Sequence, residues 1–73
     1  MKRITKAKLM AIRRADAYLK FLHYLDRREF GMALSVANTW AVTDTNDRFR
    51  SLWEGHANDT YRLLKAQSEG GAA

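Results

Sequence analysis

ITKAKLMAIRRADAYLKFLHYLDRR, residues 4 to 28, decides how this chain folds. Ile4, Ala11, Ala15, Tyr18, Leu22 and Leu25 recur at steps of three, four or seven, which stacks them along one face of a helix. Lys6, Arg13, Lys20 and Arg27 stand seven apart on a different face. Seven residues fall just short of two helical turns, so these cations form a slowly drifting stripe. The spacing predicts one long helix, apolar along one edge and basic along another, with the rest of the chain covering the apolar edge.

Outward from that stretch, Thr5 is the expected N-cap, since its hydroxyl can accept from amides of the first turn. Arg27 and Arg28 suit a C-terminus, where the helix dipole favours cations. Gly31 is the expected stop, able to turn left-handed at little cost. In the next segment Phe30, Ala33, Leu34, Ala37, Trp40 and Ala41 fit helical spacing. Leu34, Val36, Trp40 and Val42 also alternate as a strand would. No second strand offers itself as a partner, so a helix is expected here.

TDTND, residues 43 to 47, signals a third helix start, with Asp44 as cap and Asp47 in the first turn. Phe49, Leu52, Trp53, His56, Ala57, Thr60 and Leu64 then share one face. Gly55 lies inside that helix, at about 1 kcal/mol relative to alanine, a cost that a close helix–helix approach would justify. SEGGAA, from Ser68 on, reads as a disordered tail. The expected fold is all-α: a small three-helix bundle with a long basic amphipathic N-terminal helix, one domain over residues 1–67 and a tail over 68–73.

Seventy-three residues leave room for one domain with a thin core. There is no cysteine, which excludes a disulfide framework and a thiolate metal site. The net charge of +5 is unevenly placed, because residues 1 to 28 hold nine of the thirteen Lys and Arg but only two of the eight Asp and Glu. That asymmetry calls for an anionic partner or leaves a solvated face. The densest apolar run, Ala17 to Leu25, contains Lys20 and His23 and falls short of the ~20 residues that span a bilayer. Arg13, Arg14 and Asp16 interrupt any signal-peptide core, and residues 1 to 28 lack the serines of a transit peptide. The chain is read as cytoplasmic. A lipid-surface role is set aside, because it would strip the bundle of the apolar edge that forms its core.

Catalysis finds no motif. Ser51, His56 and Asp59 are spaced so that their side chains do not converge, and neither a nucleophile elbow nor a phosphate-cradling loop is present. No metal or cofactor site is expected from His23 and His56. A helix-turn-helix over residues 30 to 64 would carry a recognition helix of zero net charge, which does not suit a polyanion's groove.

Two surfaces remain. Lys6, Arg13, Lys20 and Arg27, about 10 Å apart in sequence along the helix, could meet nucleic-acid backbone or an acidic protein surface, although Asp16 is placed to pair with Arg13 and Lys20. Met10, Phe21 and Tyr24, with Arg14 and Arg28 as a charged rim, have the composition of a protein-binding patch. The alternative is that the other helices simply cover it, and self-association into a homodimer through it is a further outcome. The expectation is a small non-enzymatic regulator or inhibitor acting on a larger protein with an acidic surface. By analogy of size alone, phage- or plasmid-borne factors acting on host transcription or other nucleic-acid-handling machinery are of this kind. Sequence-independent nucleic-acid binding is the alternative.

Overall fold

Three α-helices follow one another in the computed structural model, which describes residues 3 to 71: α1 (Lys6–Asp26), α2 (Phe30–Thr43) and α3 (Asp47–Gly71). The bundle is all-α, and the described residues contain no strand. Residues 34–43 are helical, so the strand alternation there is incidental.

Thr5 caps α1 as its sequence predicts, accepting from the Lys8 amide at 3.1 Å. The end of α1 departs from expectation. The helix stops at Asp26 rather than Arg28, and the left-handed residue is Arg28 (φ 59°), not Gly31. The Glu29 amide donates to the Tyr24 carbonyl at 2.8 Å and the Arg28 amide to the Leu25 carbonyl at 3.0 Å. These two bonds are the Schellman pattern that satisfies the last carbonyls of a helix. Closing it two residues after Asp26 leaves Gly31 in the first turn of α2, with open space around it.

The start of α3 also shifts. Asn46, not Asp44, is the cap: its side-chain oxygen accepts from the Arg48 and Phe49 amides at 3.0 and 3.2 Å. Asp44 ends α2 and is drawn inward by a cation thirty residues earlier. At its far end α3 continues to Gly71, through residues 68–71 where a tail was expected. Once a helix is nucleated, each added residue makes a hydrogen bond at little further cost, and no proline intervenes. Residues 72 and 73 lie outside the described residues.

The core is Ala17 and Phe21 of α1, Ala33 and Ala37 of α2, and Trp53 and Ala57 of α3. Ala33 and Ala37 are fully buried, so the middle helix presents bare backbone and methyl groups to both neighbours. The backbones of the outer helices stay apart, and only side chains such as Phe21 and Trp53 bridge them. Among the described residues no α-carbon of α1 lies within 8 Å of one of α3. The result is a slab of 59 × 22 × 12 Å. Its radius of gyration, 14.4 Å, exceeds the about 11 Å of a compact chain this long. No described helix is long and apolar enough to cross a membrane.

Most important for function, α1 is rotated by roughly a quarter turn from the reading of its apolar edge, with Leu25 common to both sides. Ile4, Tyr18 and Leu22 are 59, 40 and 40 % exposed, and Ala11 and Ala15 are exposed as well. The side that packs is Met10, Arg14, Ala17, Phe21, Tyr24 and Leu25. Both sides have helical periodicity. The buried one carries Phe21 and Tyr24, which remove more apolar area from water than Ala11 and Ala15 on the adjoining side.

Candidate functional site

The patch expected to bind a partner is largely consumed by the fold. Phe21 is 3 % exposed and stands edge-on to Trp53 at 5.9 Å between ring centroids. Met10 and Tyr24 are half-buried. Phe21 is therefore a core residue and not a surface anchor. Around it Tyr18, Trp53 and His56 form one aromatic cluster with centroid separations of 5.3 to 6.2 Å. His56 is half-buried in it, as its place on the apolar face of α3 implies, while Ser51 and Asp59 are exposed.

Arg14 is also spent inside. Its Nε and a terminal nitrogen donate to the two oxygens of Asp44 at 2.6 and 2.7 Å, and its guanidinium lies 4.0 Å from the centre of the Phe49 ring. Asp44 is 1 % exposed. The Arg14 hydrogen bonds hold its carboxyl below the usual carboxylate range against the opposing pull of burial, and the Asn46 amide adds to the lowering. The same pairing raises Arg14 further above its ordinary value. Nothing local in the sequence marks a pair thirty residues apart; an acid between two apolar segments was the available signal.

Arg28, the last of the five, is exposed at the left-handed turn, and its carbonyl accepts from the Gln67 side chain at 3.3 Å. The five residues thus do not form a common outward face. The chain matches no family model, no curated protein and no solved structure.

The stripe fares differently. Lys6, Arg13, Lys20 and Arg27 are all exposed. Arg27 stands 3.7 Å from Glu29, an exposed pair of small energetic consequence. Lys6, Arg13 and Lys20 pair with no carboxylate among the described residues, Asp16 included. Asp16, Arg13 and Lys20 instead lie side by side along a shallow groove of about 430 Å³ between α1 and α2, with Ser35, Thr39 and Trp40 opposite.

On the other side of α1 lies a second trough, of about 460 Å³. Ala11, Ala15 and Tyr18 form one wall, Phe49, Leu52 and His56 the other, with the buried Trp53 between them. Sequence reading missed this surface because it assigned the wall on α1 to the core.

Proposed function

We propose that this chain is a small non-enzymatic regulator that docks on an acidic surface of a larger protein through Lys6, Arg13, Lys20 and Arg27. The observation that carries the reading is that three of these four cations have no internal carboxylate partner. Cations not needed by the fold are available to another molecule. Seven-residue steps put them about 10 Å apart over roughly 30 Å. Such a row steers an acidic partner and sets its register more than it supplies affinity.

Nucleic-acid backbone is the second reading. It is favoured by the α1–α2 groove, where Ser35 and Thr39 stand opposite Arg13 and Lys20, the residue types that contact phosphates. Asp16 in the same groove weighs against it. A regular phosphate track must pass that carboxylate, whereas a protein's carboxylates can be spaced to miss it.

Affinity recovery from lysate, with and without nuclease and across a salt series, separates the two. The test compares the native chain with one carrying Lys6, Arg13, Lys20 and Arg27 all changed to Gln. A protein retained by the native chain after nuclease and lost by the variant supports the first reading. Retention that vanishes with nuclease supports the second, with affinity falling steeply in salt. Equal retention by both chains removes the stripe from any role.

A further inference from the structure

We infer that the exposed apolar edge of α1 is a dimerisation seam, occupied by α1 of a second copy of this chain running antiparallel to it. The inference is independent of the acidic-partner reading, because the stripe cations lie on the opposite side of the α1 wheel and stay outside such a dimer.

The first support is area. The chain exposes 5869 Å², whereas a monomer of 8.4 kDa should expose about 4,600 Å². The excess, about 1,300 Å² and spread over the whole elongated chain, exceeds the about 800 Å² each partner buries in a standard interface. Much of the edge is large and apolar: Ile12 and Leu19 are 46 and 64 % exposed, next to Tyr18 and Leu22.

The second support is the pattern. Ile4, Lys8, Ala11, Ala15, Tyr18 and Leu22 alternate steps of four and three, the spacing of a two-helix seam. In a parallel pair each would face its own copy. Lys8 would then meet Lys8, two successive alanine layers would leave a void, and two Tyr18 rings would collide. Antiparallel, with the two-fold axis level with Asp16 and Ala17, Ala15 faces Tyr18 and Ala11 faces Leu22. Small then meets large in every central layer. Lys8 comes beside Leu25 and Asp26, so its charge finds an opposite one. The trough between α1 and α3 lies along the same edge and receives the flank of the incoming helix. A lipid surface fits less well, since the stripe cations would point away from the headgroups.

Sedimentation equilibrium of the full chain tests this. The expected mass is twice 8.4 kDa; a monomer at 100 µM, or a mass above two copies, overturns it. Leu22→Glu and Leu19→Glu should each weaken the dimer by about 30-fold or more, the scale of a central hot spot, with helical circular dichroism retained. Leu19 is so exposed that its replacement should not disturb the monomer fold. Val42→Glu, 78 % exposed on α2, should leave the mass unchanged; dissociation by Val42→Glu instead places the interface elsewhere. Because the chain has no cysteine, orientation is read directly. Mixed Ala11→Cys and Leu22→Cys chains should cross-link to each other on oxidation. Cross-linking of Ala11→Cys to itself instead would mean a parallel pair.

Discussion

At Arg28 a side chain occupies the left-handed backbone conformation that helix ends usually give to glycine. For a non-glycine residue that conformation costs about 1–2 kcal/mol, and the turn tolerates it because two capping hydrogen bonds depend on it. Arg28→Gly should therefore stabilise the chain by about 1 kcal/mol, a rise of roughly 4–8 °C in Tm for a domain this size. Arg28→Val should lower Tm. Thermal melts at one fixed protein concentration check both, and a glycine variant that melts no higher would mean the turn carries no strain. Gly55 is the converse case. A methyl group added there meets nothing within 4 Å, so the close approach expected to justify this glycine is absent. Gly55→Ala should then recover up to about 1 kcal/mol of helix propensity, read as a higher urea midpoint with unchanged slope. A loss instead would show that the glycine is needed by something outside this chain.

Among the elements, the Arg14–Asp44 pair is the tie between α1 and the turn that launches α3. The Asp44 carboxyl is held below its usual range in the fold, while in the unfolded chain it titrates near about 3.9. Between those values the unfolded state binds the extra proton, so stability rises with pH there. The contribution is complete above about pH 5 and is lost as pH falls toward the folded value. Asp44→Asn should cost about 3 kcal/mol at pH 7, because it leaves Arg14 without its counter-charge. The gap from the native chain should narrow progressively below about pH 5. Denaturation at pH 7, 4 and 3 measures it, and a gap independent of pH would mean the pair does not stabilise the fold.

The same pair marks where sequence reading stops. The Thr5 cap, the helical stripe from Phe30 to Ala41 and most of the α3 face were legible, because each is a short-range pattern of period 3.6 or a hydroxyl next to free amides. The roles of Asp44, Arg14 and Phe21 were not. Asp44 has the right chemistry and position for a cap, and only its tertiary partner moves that task to Asn46. For α1, periodicity finds two apolar sides and does not say which one faces inward. The core took the side with the larger rings. The candidate site was legible only in its stripe, whose cations need nothing from the fold to remain exposed.

At the scale of the whole molecule, a slab 12 Å thick has two faces and little interior, so surface charge weighs heavily in its stability. Total stability for a chain this long is of order 4–11 kcal/mol. Into that margin comes self-repulsion among the nine cations that residues 1 to 28 hold against two acids, in a chain of net charge +5. Changing Lys6, Arg13, Lys20 and Arg27 to Gln removes four of those charges and one exposed, weak pair, Arg27–Glu29. Glutamine keeps much of the helix propensity of the residues it replaces. The variant should accordingly melt no lower than the native chain in 150 mM salt and a few degrees higher in 10 mM salt, where repulsion acts over about 30 Å rather than 8 Å. A variant that melts clearly lower at both ionic strengths would mean the stripe is bound into the fold through contacts of its own. Its cations would then not be available to a partner, and the proposed docking function would lose its basis.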